Sequence, residues 1–462
     1  MKRTYYTTSL ILVLYCIQIN QSAIAQNTNK ILSNDVLIPG GIYDMGDHFG
    51  FVDPLHPSDE IPIHTVHIDS FYIANTVVTN QQFLNYLTSA LSSGLIHVAN
   101  NIVYSVADTN IICYTNQYAT YYSLGFNGST FSIVDFRADH PMVGVLWYGA
   151  TAYCNWLSSQ NGYQSCYNLT TGDCDSTKNG YRLPTEAEWE WAGRGGHTNP
   201  YYNYPWGNDL DTTKANWPIS GDPYETGTYP YTTPVGFYDG TLKLKSTYNW
   251  PGAASSYQTN NGANSYGLYD MAGNVWQFVN DWYGRTYYSS SVYNNPKGPI
   301  TGTLMPDNKP YRCMRGGNWY NGDVINSVND GHSRISNRDP SYFRGPQDPN
   351  HPWYHVGFRV ARNYSSTATG INTNQTEINS CRSFPNPFNS EITFQFNLEK
   401  SSYVVLEIFN SMGQLINTLV NEKLNEGIHN YDWNAVKLSA GIYTYTLKTE
   451  SLINTDKIIL IK

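Results

Sequence analysis

The chain has 462 residues, a formal net charge of −9 and 14% charged residues, against about 25% in an average soluble protein. Lysine and arginine total 27 against 36 acidic residues, which excludes a protein that binds nucleic acid through clustered basic side chains. A mean hydropathy of −0.44 excludes a protein with many membrane spans. The aromatic content of 15% excludes a disordered chain, and the length predicts about two to three domains.

The first 25 residues have the pattern of a secretory signal peptide. Lys2 and Arg3 precede an apolar run from Leu10 to Ile19, and Ala23-Ile24-Ala25 offers small residues for cleavage after Ala25. Because the apolar run is shorter than the ~20 residues that a span needs, we expect no transmembrane segment after cleavage. Cleavage also removes Cys16 and leaves six cysteines in an oxidising compartment, where an even number can pair.

Residues 26–363 are predicted to form one large domain with few helices. Thr79 caps a helix predicted from Asn80 to Leu91, where apolar side chains recur at helical spacing. A second helix is predicted from Trp147 to Leu157, and a short third one follows Thr185, which forms a capping-box pattern with Glu188. The remainder is read as loops and short strands pinned by metals or disulfides, because a structureless domain of this size is implausible.

The pattern changes after a linker predicted at 364–382, which is rich in Ser, Thr and Asn. Residues 383–462 contain short alternating segments that predict an antiparallel β-sandwich of the immunoglobulin-like kind. The predicted strands are Ile392 to Leu398, Tyr403 to Phe409, Gln414 to Val420, Gly441 to Thr449 and Asp456 to Ile461.

Ordered motifs run through the large domain. They include Ile38-Pro39-Gly40-Gly41, His140-Pro141-Met142-Val143-Gly144, Gly180 to Gly196 (GYRLPTEAEWEWAGRGG), Gly267 to Phe278 (GLYDMAGNVWQF), Arg315-Gly316-Gly317-Asn318-Trp319 and Gly357-Phe358-Arg359-Val360. In these blocks the domain resembles the formylglycine-generating enzyme, or sulfatase-modifying factor, family. The resemblance implies an α+β fold related to C-type lectins and poor in regular secondary structure.

The tail carries motifs of its own: Phe384-Pro385-Asn386-Pro387-Phe388-Asn389, Met412-Gly413, Leu438-Ser439-Ala440-Gly441-Ile442-Tyr443 and Lys457 to Lys462. These resemble the C-terminal sorting domain of the type IX secretion system of Bacteroidetes. The resemblance implies that the secretion machinery is a partner and that the protein passes through the periplasm to be released or attached at the cell surface.

The family resemblance also implies an active site that this chain lacks. Enzymes of the family oxidise a substrate cysteine to formylglycine, using a copper(I) ion held by two cysteines just after the Arg-Gly-Gly motif. By count from Gly317 these positions are Asn321 and, if there is no gap, Asn326. Copper(I) prefers soft thiolate ligands, which asparagine amides cannot replace. We therefore expect no copper and no catalytic residue.

The surrounding segment, Asn318 to Tyr354, is rich in residues that suit adaptable contacts. We predict a binding face there for a peptide, glycan or protein ligand, made of Asn318, Trp319, Tyr320, Asn321, Trp276, Arg338, Tyr342 and Trp353. The alternative, that these aromatic residues only pack a loop-rich shell, carries equal weight.

The resemblance implies two structural calcium sites built from oxygen ligands, which calcium prefers. The first consists of the side chains of Asn216 and Asp222 with the carbonyl groups of Trp217 and Tyr224. The second consists of Asp270, Gly273, Val275 and Gln277, where Gln277 occupies the position of an expected acid.

Cysteine spacing predicts one disulfide. Cys166 and Cys174 flank a short insertion, and a bond between them would close a hairpin-like loop. The pairing of Cys113, Cys154, Cys313 and Cys381 stays open.

Two functions remain after these steps. The first is an exported, non-catalytic ligand- or protein-binding module on the formylglycine-generating fold. The alternative is an oxidoreductase of the sulfatase-modifying type, or another protein-modifying enzyme, with a displaced active site.

Overall fold

The structure is a computed structural model that divides into two compact units, Met1–Tyr364 and Ser365–Lys462. It describes residues 34–51, 59–115, 122–134, 136–218, 220–227, 230–306, 308–319, 331–339, 354–364, 378–398, 400–410, 414–449 and 453–461. Within these ranges no helix combines the length and the apolar character needed to cross a membrane.

The described part of the first unit has four α-helices. They are α1 (Asn80–Ser92), α2 (Trp147–Gln160), α3 (Glu186–Gly193) and α4 (Lys245–Tyr248). The first three confirm the predicted helices, with α1 and α2 ending one and three residues later than expected. Thr79 and Thr185 both form complete capping boxes, in which each accepts a hydrogen bond from the backbone three residues on. The single-turn α4 was not predicted.

Short strands make up most of the remaining regular structure. They are β1 (Asp35–Ile38), β2 (Gly41–Met45), β3 (His64–Ile68), β4 (Phe71–Ala74), β5 (Ile96–Ala99), β6 (Ile102–Ser105), β7 (Ile111–Tyr114), β8 (Leu124–Phe126), β9 (Phe131–Ile133), β10 (Tyr181–Arg182), β11 (Leu242–Leu244), β12 (Ser256–Gln258), β13 (Trp276–Trp282), β14 (Arg312–Arg315), β15 (Arg338–Asp339), β16 (Val356–Phe358) and β17 (Ala361–Asn363). Two 3₁₀ turns lie at Tyr287–Ser290 and Gly331–Ser333. The unit is therefore mixed and rich in short strands, which is compatible with the expected α+β class.

Two four-stranded sheets organise this unit. The first has the order β1-β4-β17-β10, and the second has the order β15-β14-β13-β16. In the second sheet β13 pairs antiparallel with β14 and parallel with β16. This arrangement places three family motifs side by side, because β13 begins at Trp276, β14 ends at Arg315 and β16 contains Gly357.

Two apolar clusters form the core of the first unit. One packs α1 and α2 against β13 and β16 and includes Phe83, Tyr153 and Phe358. The other packs α3 against β2, β3 and β4 and includes Trp189 and Trp191. Charged groups lie inside this second region, since Arg194, Arg315 and the glutamates of α3 are all buried.

The second unit consists of strands in two antiparallel sheets. Its strands are β18 (Ile378–Phe384), β19 (Glu391–Leu398), β20 (Ser402–Asn410), β21 (Leu415–Leu424), β22 (Gly427–Asn434), β23 (Gly441–Lys448) and β24 (Ile453–Leu460). The sheet orders are β18-β19-β22 and β21-β20-β23-β24, and both sheets contribute to one buried cluster. Five of these strands were predicted, and β18 and β22 were missed. β18 also corrects the linker, whose last residues, 378–382, belong to this strand. The immunoglobulin-like class stays a prediction.

Candidate functional site

The window, residues 320–330, follows the Arg-Gly-Gly motif and contains Asn321 and Asn326. The structure describes the residues on either side of it, 308–319 and 331–339. Tyr320, Asn321, Asn326, Tyr342 and Trp353 lie outside the described residues. The sequence itself has no cysteine between Cys313 and Cys381, so neither copper position can hold a thiol.

The backbone turns sharply where the window begins. Gly316 and Gly317 have φ values of 98° and 71°, a region that favours glycine. A Cβ on Gly317 would also collide with Ser333. The turn directs the chain toward β13, where the Trp319 N–H donates to the carbonyl of Asn274 at 3.1 Å.

Trp319 and Trp276 belong to the core more than to a surface. Trp319 is 3% exposed and its ring lies 5.3 Å from Tyr231 and 5.9 Å from Tyr354. Trp276 is 4% exposed and packs in the cluster of α1 and α2, with His332 at 6.1 Å. Both indoles are therefore enclosed by protein, which favours the packing alternative for these two residues.

The prediction that Arg338 contributes to a binding face is wrong. Its side chain is fully buried, and Nε and Nη2 each donate to the Glu186 carboxylate at 2.8 Å. Nη1 donates to the carbonyl groups of Asp59 at 2.9 Å and Gly284 at 3.0 Å. Because its charge and its donors already have partners inside the fold, Arg338 is a structural residue.

Arg338 is part of a larger buried network that the sequence analysis missed. Arg315 donates to the backbone oxygens of Ser336 and Asn337 and pairs with Glu190. Arg334 forms a two-pronged pair with Glu60 at 2.6 and 2.9 Å. Burial raises the pKa of Glu186, but Arg338 and Arg315 more than offset this, so the pKa lies below its usual range. These ion pairs link β14 and residues 334–338 to α3 and to Glu60.

All four residues of the first predicted calcium set are buried. Asn216 donates from Nδ2 to the Tyr231 carbonyl at 2.8 Å, while its Oδ1 has no hydrogen-bond partner among the described residues. Asp222 accepts from the Tyr224 N–H at 2.8 Å and from the Tyr238 hydroxyl at 3.2 Å. Burial raises the pKa of Asp222 to about 6. A hard cation would suit both the unsatisfied amide oxygen and the buried carboxylate, so the donors fit calcium chemically.

The second set does not fit a cation at Gln277. Its Oε1 accepts from Trp189 Nε1 at 2.9 Å and from Arg359 Nε at 2.6 Å, and its Nε2 donates to the Asp270 carbonyl at 2.6 Å. Arg359 is fully buried, so its positive charge opposes a second cation beside this amide. The carboxylate of Asp270 is bonded instead to Gly236 N and Asn274 Nδ2.

Two further residues of this set lie in packed backbone. Val275 is buried in an apolar cluster with Val77 and Trp319. A Cβ on Gly273 would collide with the carbonyl of Asn216, so the two predicted sets meet there through backbone contact. The described residues contain no group of three or more His, Cys, Asp or Glu side chains arranged to hold a metal ion.

The predicted disulfide is not formed in the structure, where Cys166 and Cys174 are both free. Tyr167, not Cys166, lies opposite Cys174 in an isolated β-bridge. Cys166 is buried in the cluster of α1 and α2 together with Cys154, and Cys174 packs against the same cluster. Cys113, Cys154 and Cys313 are also free and buried.

Comparison with known proteins agrees with the motifs. The family described as sulfatase-modifying factor enzyme 1-like matches residues 20–364, and the secretion system C-terminal sorting domain matches residues 382–462. The chain is 29% identical to the formylglycine-generating enzyme of Streptomyces coelicolor over 72% of this chain and 90% of that protein. It is 29% identical to the mouse formylglycine-generating enzyme over 59% of this chain and 64% of that protein.

One similar protein has a different name, and the match covers a smaller share of its length. The chain is 32% identical to the serine/threonine-protein kinase pkn1 of Chlamydia caviae over 62% of this chain but only 32% of the kinase. This similarity therefore concerns about a third of that protein. Because the first family match covers well over half of the chain, the protein belongs to the sulfatase-modifying factor family and carries a secretion system C-terminal sorting domain.

Proposed function

We propose that this protein is an exported, non-catalytic binding module built on the formylglycine-generating fold. The observation that carries the proposal is the absence of any cysteine between Cys313 and Cys381 in the sequence. Copper(I) chemistry in this family uses two thiolates, and by count from Gly317 their positions are Asn321 and, if there is no gap, Asn326. The sorting domain indicates that the protein is secreted or held at the cell surface, with the secretion machinery as a partner.

The surroundings of the window support the proposal. The guanidinium groups of Arg315 and Arg338 are committed to buried ion pairs, and Trp276 and Trp319 are enclosed. None of these four side chains is free to hold a substrate peptide or a replacement metal. A ligand of this domain would therefore depend on other residues of the segment Asn318 to Tyr354, which is rich in Asn, Ser and Asp.

The test is a formylglycine assay with a Cys-x-Pro-x-Arg peptide, copper(I) and oxygen. We expect no formylglycine from the wild-type chain. The Asn321→Cys/Asn326→Cys variant tests the cause, because copper binding by this variant alone would assign the loss to the missing thiols. Formylglycine production by the wild-type chain would contradict the proposal and favour the alternative, an oxidoreductase with a displaced site.

We also propose one structural calcium ion at Asn216 and Asp222, with carbonyl groups of Trp217 and Tyr224. The buried carboxylate of Asp222 and the unsatisfied oxygen of Asn216 support this assignment. Elemental analysis of the purified chain should give calcium without stoichiometric copper. Absence of calcium would contradict this assignment, and copper at one equivalent per chain would contradict the non-catalytic proposal.

A further inference from the structure

A groove unrelated to the family motifs lies between α1, α2 and the sheet of β5, β6 and β7. It has a volume of about 460 Å³, within the range of small-molecule sites. Tyr86 and Ile112 form part of its buried floor, and exposed residues such as Ser93 and Gln160 line its rim. The groove is therefore open to solvent while its floor is fixed by the core.

Aromatic rings form flat apolar surfaces in this groove. Tyr86, Tyr148 and Trp156 all line it. The rings of Tyr86 and Trp156 lie 5.8 Å apart at an angle of 55°, and Tyr86 is held from behind by Phe83 at 5.3 Å. Such rings can pack against the C–H faces of a ligand without moving, because the core already fixes them.

The polar groups of the groove restrict the charge of a ligand. None of the described residues that line it is a lysine, arginine or histidine, and Asp108 is the acidic one among them. An anionic ligand would therefore meet a carboxylate with no compensating cation. One oxygen of the Asp108 carboxylate accepts from the Asn110 N–H at 3.0 Å, and the carboxylate can accept further hydrogen bonds from a ligand. Serine residues also line the groove.

Trp156 contributes a hydrogen-bond donor to this groove, whereas Asp108 contributes an acceptor. Its indole Nε1–H is buried and has no hydrogen-bond partner among the described residues. An indole N–H can only donate, so it needs an acceptor that the described residues do not supply. An ammonium group could pair with Asp108 and stack on the rings, but it offers no acceptor to Trp156.

We propose that this groove binds a neutral carbohydrate of one or two sugar rings. Sugar hydroxyls both donate and accept, so one ligand can bond to Asp108 and to Trp156 Nε1. The C–H faces of the same ring pack on Tyr86, Tyr148 or Trp156. The groove shares no residue with the window after Arg315, so this inference goes beyond the proposed function and can fail independently of the formylglycine assay.

The test titrates the full chain with cellobiose, maltose and N,N′-diacetylchitobiose, while the indole N–H resonances are followed by NMR. Choline and glucuronate serve as cationic and anionic probes. We expect at least one neutral disaccharide to shift the Trp156 indole resonance saturably, with no such shift from the charged probes.

Variants then assign the contacts. Trp156→Phe, which keeps a ring but removes the N–H, and Asp108→Asn should each weaken sugar binding about fivefold, the effect of one lost hydrogen bond. Asp108 lies near the rim and its substitution leaves the core intact. Trp206→Phe removes an indole N–H elsewhere and should change the dissociation constant less than about twofold. Binding of choline alone, no response to any sugar, or equal binding by Asp108→Asn and wild type would overturn the proposal.

Discussion

Substitution of Glu186 tests how far buried ion pairs stabilise the first unit. It opens α3, and its side chain is 2% exposed. Both carboxylate oxygens accept from Arg338, Arg315 approaches at 3.8 Å, and the thiol of Cys313 donates at 3.1 Å. Glu186→Gln keeps the shape of the side chain but removes its charge. The new NH₂ group would also face N–H groups of Arg338, which are donors themselves.

The expected loss follows from what remains after the substitution. Arg338 is 0% exposed and its other hydrogen bonds go to neutral carbonyl groups, so its charge would lose its ion-pair partner in the interior. Breaking a buried ion pair in this way costs about 3–5 kcal/mol of unfolding free energy. Asp211→Asn is the matched control, because its pair with Lys214 is 3.6 Å long with side chains 30% and 26% exposed. That change should cost below about 1 kcal/mol.

Urea unfolding followed by tryptophan fluorescence measures both variants, since eleven of the 12 tryptophans precede residue 364. The depressed pKa of Glu186 stabilises the fold above the unfolded-state value of about 4.3, and this contribution is lost as pH falls through the folded value. The deficit of Glu186→Gln should therefore shrink in acid. Adding Arg338→Met should restore part of the stability. A loss for Glu186→Gln no larger than that of Asp211→Asn would refute this reasoning.

Three other perturbations have defined outcomes. Calcium chelation should lower the melting temperature of wild type but not of Asp222→Asn; bound calcium stabilises by ~2.7 kcal/mol at about 100 times its dissociation constant. Burial and Arg137 hold the pKa of His140 well below its usual value, so stability should fall as pH drops below about 6.5, and His140→Gln should flatten this dependence in thermal scans. Deleting residues 384–462 should leave the protein in the periplasm on fractionation, whereas normal surface arrival would contradict the sorting role.

Local sequence signals predicted α1 and α3 well because each of these helices begins at a capping box. The capping boxes at Thr79 and Thr185 are short-range patterns whose partners lie three residues away. Strand β22 (GIHNYDWN) contains Ile428, Tyr431 and Trp433 and alternates in burial. It was missed because Gly, Asp and two Asn, which are depleted in strands, stand between these residues.

The candidate site was harder to predict because its key contacts cross long stretches of sequence. Arg338 resembles a surface residue in a polar segment, and its partner Glu186 lies 152 residues away. Likewise, Gln277 occupies the position of an expected acid in the calcium motif. Its amide oxygen accepts a hydrogen bond from Arg359, which lies 82 residues later in the sequence. Motif matching identifies the positions of such residues, but it does not show which charged side chains contact them in the fold.

The first sheet has a consequence for how the protein is made and released. β1 and β17 flank the same strand, β4, and β10 pairs with β17, so the sheet is complete only when residues 361–363 are in place. A chain exported or synthesised from its N terminus must therefore deliver nearly the whole unit before this sheet can close. After closure, a cut between Asn363 and β18 would break none of the strand pairings that the described residues form within either unit.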